Sequence, residues 1–193
     1  MLRLIAIAVL CAACGASSTR APSTPTPLPQ LDAARPELAA FGQRLYLALA
    51  RGQLEDVTFD EVALDRLLLP TAGRRALAMR AQVPGPRRLP PDETAVWAGA
   101  RYAEICVQQG RAEPRDGTLG LRAPGFVFER ALIVGREPGG GALAGWVEGA
   151  FLHTDAGFGA LSLERVEAPR RDHADLQLAV CELRARPPDP KPL

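Results

Sequence analysis

The sequence predicts an α+β domain, on three observations. Apolar residues in the first half recur at helical spacing, from Tyr102 onward they alternate with a period of two, and in that second half turn-forming residues separate the apolar runs at regular intervals. A run of helices followed by a run of strands implies N-terminal helices packed on a curved antiparallel sheet, here of about six strands.

The first helix is expected to start at Pro36, a favoured first helical position, and to stop at Gly52; Leu38, Phe41, Leu45 and Leu49 form its buried stripe. For the second helix, Thr58 and Glu61 read as a capping box, and Val57 and Val62 as a hydrophobic staple. Val62, Leu64, Leu67 and Leu68 continue its apolar face until Pro70 ends it. A third helix is predicted over 72–82 and a fourth over 92–99 around Trp97, with Pro84, Pro86, Pro90 and Pro91 marking the loop between them. Strands are predicted over 102–108, 118–122, 126–134, 143–152, 158–166 and 176–184. The turns EPRDG, APG, REPGGG, TDAG and APRRDHAD connect them.

This order of elements, with the stretch GWVEGAFLHTDAGF, resembles the NTF2-like (cystatin-like) α+β roll over most of residues 31–186. The resemblance implies helices packed into a strongly bent sheet around a conical pocket. That superfamily includes isomerases, cyclases, dehydratases and domains without catalysis, so the fold alone implies no activity. Tyr46 lies on the first helix, but the sequence places no acidic partner opposite it. No catalytic residue is carried over.

The N-terminus carries an address. Arg3 gives a positive start, residues 4–10 are uninterruptedly apolar, and small residues follow, the pattern of a secretory signal. Cys11 and Cys14 form a Cys-x-x-Cys inside this leader, with no second ligand pair and no βαβ pattern to make a metal or redox site of it. Ala12-Ala13-Cys14 resembles the lipobox of bacterial lipoprotein signals, with Cys11 standing where leucine is usual. The resemblance implies signal removal over 1–13, acylation of Cys14 and a protein of the cell envelope, on the outer membrane facing the periplasm in a Gram-negative cell. The apolar run is far shorter than the ~20 residues of a spanning helix, so contact with the membrane is expected through the lipid anchor. Residues 14–30 are the lipidated cysteine and a Ser/Thr/Pro-rich linker, 31–186 a single domain, and 187–193 a proline-rich tail.

With 23 basic and 22 acidic residues, charge nearly cancels, which argues against nucleic acid as a partner. The densest basic stretch, Arg74, Arg75, Arg80, Arg87 and Arg88, reads as a solvated helix face and loop. Lys191 is the only lysine.

Both histidines fall in His-x-Asp: His153 with Asp155 and His173 with Asp175. On strands, residues two apart share a face, so the pairs could jointly bind a divalent cation, or one could act as a base with its orienting acid. The plainer reading has both at strand ends, where aspartate bonds loop backbone. Glu148, beside Trp146 in an apolar strand, is either a buried carboxylate needing a partner or an outward-facing one. PGGGALAG joins two strands and reads as a hairpin, where a nucleotide loop would lead into a helix. The four serines, at 17, 18, 23 and 162, lie in no Gly-x-Ser-x-Gly elbow.

Cys106 and Cys181 remain, each in a predicted strand. Export favours a disulfide between them, and two buried free thiols are the alternative. The leading expectation is an envelope lipoprotein whose domain binds an envelope protein or small apolar ligand without catalysis and without a cofactor. A pocket lined by Trp and Phe would favour it. The alternatives are an NTF2-like enzyme on a small hydrophobic substrate and a metal-binding envelope protein.

Overall fold

The computed structural model describes residues 35–82, 88–108 and 110–185; the signal, Cys14, the linker and the tail over 187–193 lie outside them, as do Pro84 and Pro86. The described chain is α+β. Helix α1 (Arg35–Arg51) leads through a 3₁₀ turn (Leu54–Val57) to α2 (Glu61–Leu67), α3 (Pro70–Gln82) and α4 (Pro91–Ala98). Strands β1 (Arg101–Gln108), β2 (Arg111–Glu113), β3 (Gly125–Arg136), β4 (Ala142–Thr154) and β5 (Gly157–Val166) follow, then α5 (Ala174–Ala185).

The stripe of α1 forms as its spacing demands: Leu38, Phe41, Leu45 and Leu49 are all buried. Gly52 ends the helix at φ +68°, donating its N–H to the Leu49 carbonyl at 3.1 Å; the left-handed region costs glycine nothing and other residues more. Helix α1 crosses β1 so closely that a Cβ on Gly42 would stand 2.7 Å from the Ile105 side chain.

Helix α2 is capped differently from the expectation. Asp60, one turn ahead of the apolar face, accepts from the Ala63 N–H at 2.7 Å. The Thr58 hydroxyl instead donates to the Glu55 carbonyl across the 3₁₀ turn, and Val62 is 59% exposed, so the staple does not form. Pro70 does not only end α2; it starts α3, where its missing N–H is no loss.

The sheet is antiparallel, in the order β1-β3-β4-β5, with β2 pairing β3 beyond the end of β1. There are five strands, and two of the six expected segments behave otherwise. Over 118–122 only Leu121 makes isolated bridges, to Leu68 and Arg115, and the short strand is Arg111–Glu113. Residues 176–184 belong to helix α5. The alternation of Leu176, Leu178 and Val180 suggested a strand, but Ala174 and Cys181, seven apart, are the positions fully buried, while Leu176 is 61% exposed. That is helical spacing.

Register irregularities interrupt β1/β3, β3/β4 and β4/β5, and such bulges bend a sheet locally. Along β4, Leu143, Val147 and Phe151 enter one core with α1, while Ala144, Ala150 and Leu152 pack on the opposite face. The sheet is therefore covered on both sides. α1 and Trp97 of α4 cover the first face; on the second, α2 and α3 lie over Val127, Leu152 and Leu161, and α5 over Leu132, Val134 and Ala144. The bulge between Phe128 and Arg130 matters most. Residues two apart should share a face, yet Phe128 stays in the first core while Arg130 stands on the second face opposite Glu148.

Candidate functional site

On the second face, α5 and the neighbouring strands leave an open cleft of about 300 Å³. Arg130 of β3 and Trp146 of β4 form its floor, Gln108 closes it at the end of β1, and Leu176, Gln177 and Val180 of α5 form a wall. That wall is held covalently. Cys106 of β1 and Cys181 of α5 are disulfide-bonded, with Cα atoms 6.1 Å apart. The bridge runs from strand to helix, not between two strands as the sequence suggested.

The floor is an electrostatic cluster. The Arg130 Nη2 lies 3.0 Å from Glu148 Oε1 and 3.8 Å from Glu167 Oε1, and its guanidinium sits 4.5 Å above the Trp146 ring. These three charged side chains are each about 70% buried, and of the three it is Arg130 that lines the cleft. One buried donor there, the Nε of Arg130, has no acceptor among the described residues, which costs on the order of 1–3 kcal/mol. Gln108, only 6% exposed, lines the same cleft.

Glu148 is thus neither a lone buried carboxylate nor a solvated one: it is half of an ion pair with Arg130. The His-x-Asp pairs are not brought together. His153 is buried, stacks on Phe158 with centroids 4.0 Å apart, and places Nε2 2.9 Å from Glu37 Oε2 of α1, while Nδ1 has no partner among the described residues. Asp155 points outward in the β4–β5 turn. His173 adopts φ +63° just before α5, where its carbonyl accepts from the Gln177 N–H at 2.8 Å, and Asp175 pairs with Arg136 at 2.8 Å. Among the described residues no three His, Cys, Asp or Glu side chains stand where they could share one ion.

The aromatic residues expected to line a pocket are packed on one another. Phe41, Phe128, Phe151 and Phe158 have centroids 5.0–6.4 Å apart, and Trp97 is fully buried. Tyr46 donates its hydroxyl to the Trp97 carbonyl at 2.6 Å. It is a core residue with its polar tip satisfied.

Sequence reading passed over Arg130, Gln108, Glu167 and Glu37. One signal was available: Arg130 in FVFERALIV and Glu148 in GWVEGAF are opposite charges in consecutive apolar strands, which hairpin pairing brings together. No family model, no curated protein and no solved structure matches the chain.

Proposed function

We propose that this chain is a lipid-anchored protein of the cell envelope whose domain binds a partner or small ligand, without catalysis, in the cleft between α5 and the sheet. The observation that carries the reading is the Cys106–Cys181 bridge, which fits an oxidising compartment and at the same time builds the wall of the cleft. The Ala12-Ala13-Cys14 sequence supports the anchor. Among the described residues no helix is long and apolar enough to cross a membrane, which accords with attachment by acyl chains. In the cleft the Arg130 guanidinium, held by Glu148 and Glu167 and stacked on Trp146, is a fixed polar group suited to orienting a ligand.

Expression of the full chain with its own leader in a Gram-negative host tests this. Mass spectrometry is expected to find an acylated Cys14 at the N-terminus of the mature protein, and Cys14→Ser is expected to move the protein from membrane to soluble fractions. An unacylated N-terminus, or membrane retention of the serine variant, overturns the anchor. Reactive thiols at Cys106 and Cys181 in the denatured, unreduced protein overturn the oxidised domain.

A further inference from the structure

Helix α3, PTAGRRALAMRAQ, carries arginines and no carboxylate. Ala72, Ala76 and Leu77 pack it on the second face of the sheet, and Gly73 is buried. Helical spacing leaves Thr71, Arg74, Arg75 and Ala78 on the opposite side, and all four are exposed. Neither Arg74 nor Arg75 has an ion pair among the described residues. A third guanidinium stands at the head of the helix. Arg122 Nε donates to the carbonyls of Asp65 at 3.1 Å and Leu68 at 2.8 Å, where α2 gives way to α3 and Leu69 is 36% exposed. Those acceptors are main-chain groups, so they fix the Arg122 side chain and leave its charge uncompensated. The Asp65 carboxylate lies on the flank of α3 instead: its Oδ1 is 3.8 Å from where a Cβ on the buried Gly73 would stand.

The partner complementary to this face is a surface of closely spaced anions, with Leu69 and Ala78 offering short apolar side chains to its interfacial layer. With a net charge of only +1 the attraction is confined to this face of the molecule. We infer that the outward side of α3, together with Arg122, rests on the anionic lipid headgroups of the membrane to which Cys14 is anchored. The inference rests on the reading of the chain as an anchored protein and adds which face the domain turns to the membrane. Each cation close to an anionic leaflet raises partition about fivefold, so the three arginines together give ~100-fold. That does not hold a domain without acyl chains, since even one myristoyl chain, at ~10⁴ M⁻¹, binds only marginally. Once the anchor is inserted the contact is intramolecular, and an attraction of this size suffices.

Sedimentation with vesicles tests this on the mature chain beginning at residue 14, with Cys14→Ser so that no acyl group contributes. It is expected to bind vesicles of phosphatidylcholine mixed with phosphatidylglycerol at ~0.1 M salt and to leave vesicles of phosphatidylcholine alone. Binding is lost at ~1 M salt, where the Debye length falls from about 10 Å to about 3 Å. Arg74→Gln with Arg75→Gln is expected to lower partition about 25-fold. Arg51→Gln with Arg101→Gln makes the same charge change at two exposed positions on other elements, and is expected to lower it less than ~2-fold. Equal losses in the two pairs assign the effect to net charge and overturn the inference. Binding to phosphatidylcholine alone, binding indifferent to salt, or release by duplex DNA at equal phosphate concentration overturns it too, the last by making the face a nucleic-acid surface. An acylated Cys14 beside a chain that ignores anionic vesicles overturns this inference alone; an unacylated Cys14 overturns the anchored reading.

Discussion

Tyr102 and Tyr46, the only two tyrosines, lie on neighbouring elements with ring centroids 6.0 Å apart, and both are held neutral. Burial, with the nearby Glu104 carboxylate, pushes the Tyr102 hydroxyl up to about 12, and burial raises Tyr46 as well. A folded value above the unfolded value of about 10 means that the stabilisation is present in full below pH about 10 and is lost as pH rises through about 12. Tyr102 is therefore expected to contribute no tyrosinate absorbance in the native protein at pH about 10.5 and to ionise with unfolding; titration of Tyr102 near its ordinary value in the folded chain contradicts this. Glu113 offers a second test at this scale. Its side chain is almost fully buried and accepts from the Leu119 N–H at 2.7 Å, organising the loop after β2. Glu113→Ala is expected to cost about 1–3 kcal/mol, because that N–H is left without its acceptor. Urea denaturation measures it, and a loss under about 0.5 kcal/mol contradicts the assignment.

Helix α5 is the element the sequence misrepresented, and it is the one that forms the wall of the cleft. Its short apolar run alternates as a strand does and also repeats as a helix does, and length alone does not separate the two. Its contacts with β1, β3 and β4 decide the matter, because Ala174 and Cys181 find a buried surface only when wound into one helical face. The disulfide closes a 75-residue separation. On the chain-entropy model its loss costs about 4 kcal/mol, with any native strain subtracting from that. The paired changes Cys106→Ala and Cys181→Ala are expected to lower urea stability by that order and to raise amide exchange in α5 before the rest of the fold. Uniform exchange across all elements, or unchanged stability, argues against α5 being pinned by the bridge.

At the level of the whole molecule, the aromatic core and the candidate site reside on different faces of one sheet. Phe128→Ala removes a ring packed against three others and is expected to cost about 3–5 kcal/mol. Arg130→Met, two residues along the same strand, keeps an aliphatic stem on Trp146 but leaves Glu148 and Glu167 without their cation, and is expected to cost about 1–2 kcal/mol; equal losses in the two variants, measured by urea denaturation, refute this difference. The sequence by itself determined the α+β class, the stripe of α1, the helix around Trp97, the four main strands and the pair of cysteines able to meet. Each of these follows from local periodicity, from glycine or proline stops, or from residue chemistry, which act over a few positions of chain. Only the tertiary structure decided that 174–185 is a helix, that His153 meets Glu37, and that Arg130 pairs with Glu148 and Glu167 while lining one cleft with Gln108. The physical reason is contact between residues far apart in the chain, and for Arg130 it is the bulge after Phe128. It reverses which face Arg130 occupies, and a one-residue shift of this kind is set by packing across strands far apart in the chain.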